Sequence, residues 1–362
     1  MARLFREWSR LDWPLLGAVI LLIVFGLVAL YSISLSHGEA LWARQGAYAI
    51  IGLAALLLVS RVDVRSVRGK SFLLYAFGVV LLILVLVAGK TIRGTTGWFV
   101  IGPIGFQPVE FMKLALLFFL ASFLSARREG EREIVTILAA VLIVLVPTAL
   151  VMAQPDIGSA FVLVMIGFGM IGMAISRPWM RVLFVVLCIA AVAGGWFFVL
   201  TDWQKERVLT YVQPDRDPLG RGYNVRQSII AVGSGGVGGR GLGLGSQGQL
   251  YFLPEASTDF IFAVIAEELG FFGASGVLLL FGLLFARIGL IARVSRDYFH
   301  MLLAAGVGIM ITVPVVINIG MNMGMMPVTG LPLLFVSRGG SALISSLIGI
   351  GILQSIFRRE RF

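Results

Sequence analysis

The sequence predicts an all-α polytopic membrane protein with ten transmembrane helices and one large loop between the seventh and eighth. Three observations carry that prediction. Hydrophobic residues make up 59% of the 362-residue chain and charged residues 13%, with a mean hydropathy of +0.97, a composition that cannot cover a soluble surface. Apolar stretches long enough to cross a hydrocarbon core recur along the chain. Lys and Arg collect in alternate connections between them.

The first stretch, 14–34, follows Arg3, Arg6 and Arg10. It is too long for a cleavable apolar region and no clear cleavage site follows, so it serves as its own insertion signal. The second, 42–60, opens with Arg44, and the third, 71–89, follows Arg61, Arg65, Arg68 and Lys70. The fourth, 108–125, begins beside Gln107, Glu110 and Lys113, spaced i, i+3, i+6 on one helical face. Gln154, Pro155 and Asp156 interrupt an apolar run and so divide the fifth stretch, 134–152, from the sixth, 157–176. The seventh, 180–200, contains Cys188, the only cysteine, which excludes disulfides and cysteine-based metal sites. After the loop at 201–256 come 259–286, 300–322 ending in Asn318 and Asn322, and 338–357, opened by Ser337, Arg338, Gly339, Gly340 and Ser341. The whole of 1–362 reads as one integral membrane domain.

Eighteen of the 29 basic residues lie at the two termini and in the second, fourth, sixth and eighth connections. By the positive-inside rule both termini are cytoplasmic. The net charge of +10 then reflects topology and attraction to anionic lipid, and no fold or motif for nucleic acid is present. The loop at 201–256 lies outside despite six basic residues, because loops of that length obey the rule poorly. Its run Gly233 to Gly248 holds nine glycines, but no Lys-Ser or Lys-Thr pair leads into a helix, so a P-loop is excluded. The run reads either as a plain connector or as backbone laid beside a headgroup, held at the surface by the amphipathic stretch Tyr223 to Ala231.

With this orientation the polar residues that sit badly in lipid gather at the outer ends of the helices. Asp259 stands at the start of an apolar segment, where an ionisable group at membrane depth costs about 2.5 to 3.5 kcal/mol and signals a functional site or a wet cavity. First-turn decoration of the helix is the structural alternative. Glu110 and Lys113 read either as an ion pair or as site residues, and Asp156 either as a helix cap or as part of the chemistry. Glu267 and Glu268 lie roughly 12 Å from Asp259 along a helix, deeper in the membrane, where they bind helix ends or backbone. His37 and His300 fall at opposite loop ends and cannot share a metal.

Over nearly the whole chain the sequence resembles the SEDS family (shape, elongation, division and sporulation). The stretches that carry the resemblance are QPVEFMK at 107–113, QPDIGS at 154–159, DPLGRGY at 217–223, QSIIAVGSGG at 227–236, LPEASTDFIFAVIAEELG at 253–270, and 318–341. GMMPVTGLPL at 324–333 and AVIAEELG at 263–270 are more similar to the elongation-type RodA branch than to the division-type FtsW branch. Two departures stand out: Arg338 replaces a usual Tyr, and Gly97 precedes Trp98 where Arg is common, the nearest Arg being Arg93.

The resemblance implies a ten-helix peptidoglycan glycosyltransferase of the bacterial cytoplasmic membrane, polymerising lipid II at the outer face. A lipid-linked strand is the donor, lipid II the acceptor, and undecaprenyl pyrophosphate leaves in one inverting step. Asp259 matches the family's essential aspartate and would act as base toward the GlcNAc 4-hydroxyl. Arg44, Lys113 and Arg338 would contact pyrophosphate, with Gln107, Glu110, Asp156 and Ser337 as further substrate contacts. A divalent cation, Mg2+ or Mn2+, held by Glu110 and Asp259 would help stabilise the leaving group. The implied partner is a class B penicillin-binding protein, a transpeptidase. A lipid II flippase or transporter, and a non-catalytic scaffold, are the alternatives.

Overall fold

A computed structural model of the chain describes residues 11–37, 40–92, 94–102, 104–126, 133–198, 205, 221–250 and 252–360. The amino-terminal arginines, Arg93, the basic cluster at 127–132 and most of 199–220 lie outside the described residues. The membrane helices are α1 (Trp13–His37), α2 (Leu41–Val59), α4 (Ser71–Ala88), α5 (Pro108–Ser125), α6 (Glu133–Ala153), α7 (Ile157–Ala174), α8 (Pro178–Phe198), α11 (Ile261–Val294), α12 (Tyr298–Asn322) and α13 (Gly340–Glu360). A short α3 (Val64–Arg68) precedes α4, while α9 (Arg221–Ser234) and α10 (Ser246–Gln249) belong to the large loop. Ten of these helices are long and apolar enough to cross a membrane. The chain is a multi-pass membrane protein.

The third connection departs from an all-helical chain. Lys90–Ile92 (β1), Thr95–Ile101 (β2) and Ile104–Phe106 (β3) form an antiparallel meander with Thr91 opposite Thr96 and Phe99 opposite Phe106. Its β-branched and aromatic residues favour pleated backbone, and the run is too short to read as a span. The meander is fastened to the bundle by Gln154, whose carbonyl accepts from Thr96 N at 3.3 Å and whose side-chain amide donates to Leu82 O at 3.3 Å.

An even number of crossings returns both ends to one face, here called the terminal face. Asp12 N donates to Gln354 Oε1 at 2.8 Å, Gln354 Nε2 returns a bond to Asp12 O at 3.0 Å, and Arg287 grips the Asp12 carboxylate at 2.6 Å. Helices α5, α12 and α13 are mostly buried, with α13 packed along α2, whereas α8 turns most of its surface outward.

Helix α11 is not one rod. It leaves the terminal face beside α12, whose 25 residues end at Asn322, yet Asn322 binds Asp259 and Ala263 at the other end of α11. A straight 34-residue helix would rise about 51 Å against about 37 Å for α12, so the two ends could not meet. The chain turns at Gly270, with φ 65° and ψ −159°, a region open essentially to glycine alone. The buried half-helix 261–269 therefore runs across the distal face, and the span proper is 271–294. The separation between Asp259 and the Glu267–Glu268 pair lies along that face, which corrects the expectation that the two glutamates sit deeper.

Candidate active site

The site is built where the turn before α11, the outer end of α12 and the strap 324–339 meet. Asp259 precedes the helix and is not in its first turn: Phe260 is the cap, and the carbonyl of Glu255 accepts from the amides of Thr258, Asp259 and Phe260. The carbonyl of Asp259 accepts from Asn318 Nδ2 at 3.0 Å and Asn322 Nδ2 at 2.9 Å. Asn322 Oδ1 accepts from Ala263 N at 3.1 Å, and its carbonyl from Ser228 of α9 at 2.8 Å. Both asparagines are fully buried, so the main chain under Asp259 is held by amides packed inside the protein. The half-buried carboxylate faces Gly330, from whose absent side-chain position Oδ2 lies 3.9 Å away.

The strap is fixed as firmly. Leu331 O accepts from Asn318 at 2.8 Å, and Gly158 at the start of α7 lets Leu331 and the Thr329 carbonyl approach, since a methyl there would stand 3.0 to 3.1 Å from both. Phe335 is held at φ 68° and 2% exposure, a left-handed conformation that a bulky residue keeps only when its surroundings impose it. Ser337 imposes it: its hydroxyl accepts from Leu333 N at 2.9 Å and donates to Thr258 O at 2.5 Å. Ser337 is 4% exposed, so its hydroxyl is committed to backbone and what it contributes here is the alignment of strap and Asp259 turn. Arg338 N donates to Ser257 O at 2.9 Å, which brings a half-buried guanidinium-bearing residue beside the acid's turn. Gln45 of α2 accepts from Gly339 N and donates to Ser337 O, and Arg44, next to it, is exposed.

Glu110 and Lys113 realise the ion-pair alternative. Lys113 Nζ donates to Glu110 Oε1 at 2.7 Å with side chains 5% and 8% exposed, and Ser345 of α13 donates to Glu110 Oε2 at 2.5 Å. Lys113 is thus neutralised and enclosed. Asp156 caps α7, accepting from Ser159 N at 3.0 Å and Ser159 Oγ at 2.8 Å, and it also accepts from Gln107 Nε2 at 3.1 Å. Gln107 N in turn donates to Ser341 Oγ at 3.3 Å, tying α5 to α13.

A metal ion shared by Glu110 and Asp259 does not fit this donor set. Both Glu110 oxygens already have partners, and among the described residues no three His, Cys, Asp or Glu gather as metal ligands. Glu267 and Glu268, 0% and 2% exposed, bind loop backbone and hydroxyls, in accord with the sequence reading. The glycine-rich run lays its backbone against α11. Sequence reasoning missed Gln45 and Ser345. A glutamine inside an apolar span is a visible signal; a lone serine is not.

The family of cell cycle proteins that includes FtsW, RodA and SpoVE matches residues 12–362. The chain belongs to the FtsW/RodA/SpoVE family. It is 36% identical to peptidoglycan glycosyltransferase MrdB of Escherichia coli K12, over 99% of this chain and 96% of that protein. It is 38% identical to stage V sporulation protein E of Bacillus subtilis strain 168, over 97% and 98% respectively. Among solved structures it is similar to Thermus thermophilus rod shape determining protein RodA, with a TM-score of 0.72, 31% identity, and 97% and 98% of the two chains covered. A chain from work described as "Structural coordination of polymerization and crosslinking by a peptidoglycan synthase complex" superposes with a TM-score of 0.81 at 33% identity over 97% and 98%. The family membership extends over every element that builds the site.

Proposed function

We infer that this chain is a peptidoglycan glycosyltransferase that extends glycan strands from lipid II at the outer face of the bacterial cytoplasmic membrane. The observation that carries the reading is Asp259, a half-buried acid whose carbonyl is held by Asn318 and Asn322, whose Oδ2 lies beside Gly330 and whose turn is joined through Ser257 to the backbone of Arg338. The positive-inside distribution supports assigning the terminal face to the cytoplasm and the distal face, with Asp259, to the outside.

In this reading Asp259 accepts the proton of the acceptor's GlcNAc 4-hydroxyl as that oxygen attacks the anomeric carbon of the lipid-linked donor strand. The bond to undecaprenyl pyrophosphate breaks in the same inverting displacement. Arg338 and Arg44 would meet the departing diphosphate with positive charge, a role supported by their positions at the distal ends of α13 and α2 respectively. The Glu110–Lys113–Ser345 cluster and the Gln107–Asp156 contact hold α5, α7 and α13 in register around the site. No step is assigned to a divalent cation. Likeness to a chain of a peptidoglycan synthase complex supports a class B penicillin-binding protein as partner.

A transport reading gains no support from the groove between α7, α11 and α12. That groove, of about 370 Å3, is lined by apolar residues with Thr312 its one polar side chain, so it offers a sugar diphosphate no partners. Asp259→Ala and Asp259→Asn, purified and reconstituted with lipid II, alone and with the transpeptidase, test the proposal. Both should reduce glycan product by at least about 100-fold with thermal stability retained, the scale seen when a positioned base is lost. Polymerisation at the parent rate would refute the base.

A further inference from the structure

The half-helix 261–269 carries Asp259 before one end and is spliced at the other. Where α11 breaks at Gly270, its free main-chain groups are completed by the glycine-rich run. Arg240 N donates to Glu267 O and Gly241 N to Glu268 O, each at 3.0 Å, while Phe271 N donates to Gly236 O at 2.9 Å and Phe272 N to Val237 O at 3.4 Å. Two strands of backbone approach this closely only without side chains: a Cβ at Gly235 would collide with the Ala266 carbonyl, and one at Gly239 with that of Glu268.

The side chains of the two glutamates lock the same run from the opposite direction. Glu267 Oε1 accepts from Gln247 N at 3.1 Å and Ser246 Oγ at 3.2 Å, with Arg240 at 3.9 Å. Glu268 Oε1 accepts from Ser32 Oγ of α1 at 2.6 Å, Gly243 N at 3.3 Å and Gln249 Nε2 at 3.4 Å. The second oxygen of each carboxylate is buried with no protein partner. For holding a loop alone this is a costly choice, because buried charge without full hydrogen bonding is destabilising. The side-chain oxygen gives something an apolar residue does not: an acceptor that gathers amide, hydroxyl and guanidinium donors from α1, α10 and the glycine-rich run onto one short helix.

We propose that Glu267 and Glu268 are positioning residues for the glycosyl transfer, fixing the direction of the half-helix and thereby the aim of Asp259. The proposal rests on Asp259 being the base. A misplacement of about 1 Å at a reacting group costs on the order of 100-fold in rate, so a half-helix released at its far end should turn over slowly while still binding substrate.

The test is steady-state polymerisation of lipid II by the full-length protein in proteoliposomes, with Asp259→Ala as control. Glu267→Ala and Glu268→Ala should lower kcat by about ten- to 100-fold with KM for lipid II within about two-fold, the pattern of an interaction realised only in the transition state. Glu267→Gln and Glu268→Gln, which keep the accepting oxygen, should recover most of the turnover. Should the alanine variants fail to fold, Ser32→Ala combined with Gln249→Ala removes two donors to Glu268 and should lower kcat at constant KM. Parent turnover in the folded variants, or losses that follow the folded fraction alone, would overturn the proposal while inactivity of Asp259→Ala left the base intact. Activity in Asp259→Ala would instead remove the reading beneath it.

Discussion

The contrast between Asp259 and Glu110 shows how two acids on one face acquire different work. Glu110 has both oxygens engaged and its charge neutralised by Lys113, so it is a fixture. Asp259 is held through its carbonyl by Asn318 and Asn322 and stays half-buried with Oδ2 beside Gly330. Removing one member of a buried ion pair strands the other, at a cost of about 3 to 5 kcal/mol. Lys113→Met should therefore lower the unfolding temperature sharply in detergent, and adding Glu110→Gln should restore a large part of it. A double variant no more stable than the single one would show that the pair does not act as a unit. Nothing in the spacing of Glu110 and Lys113 could separate this role from substrate binding, because the deciding partner, Ser345, lies 235 positions away.

At the scale of the element, α11 shows what an apolar profile conceals. Hydropathy reads 259–286 as one span, since the half-helix 261–269 is as apolar as the true crossing; its side chains are buried in protein where those of Phe271 and Phe272 are 65% and 70% exposed. The signal that distinguishes them is Gly270, which a single sequence does not mark off from the other glycines of a membrane helix. Gly270→Ala would force a β-carbon against Gly239 N and Val237 O in a conformation closed to alanine. A destabilisation of about 1 to 3 kcal/mol is expected, together with a fall in polymerisation. An alanine variant of parent stability would mean that the break is not required. The meander at 90–106 was equally illegible: three strands of three to seven residues leave little periodicity to read, and Gln154 holds them from another helix.

For the whole molecule, the ten crossings and the shared side of both ends were legible because hydrocarbon thickness and basic-residue bias act on long averages. Convergence of Gln107, Asp156, Ser337 and Asp259 on one face followed from the same bias. Their contacts did not, because they depend on which helices are neighbours. Orientation is testable directly. In a Cys188→Ser background, Glu255→Cys should react with an impermeant maleimide added to intact cells, and Ala126→Cys only after permeabilisation. The reverse pattern would invert the protein and remove the outer-face site. The cradle of Asp259 also has a consequence for biosynthesis. Its holding groups come from Asn318 onward, and the buried Glu110 waits for Ser345 in the last helix. A nascent chain therefore inserts nine helices before its acid is correctly aimed, and a product truncated late in translation would occupy the bilayer as an inert fragment, unable to start a strand before assembly is complete.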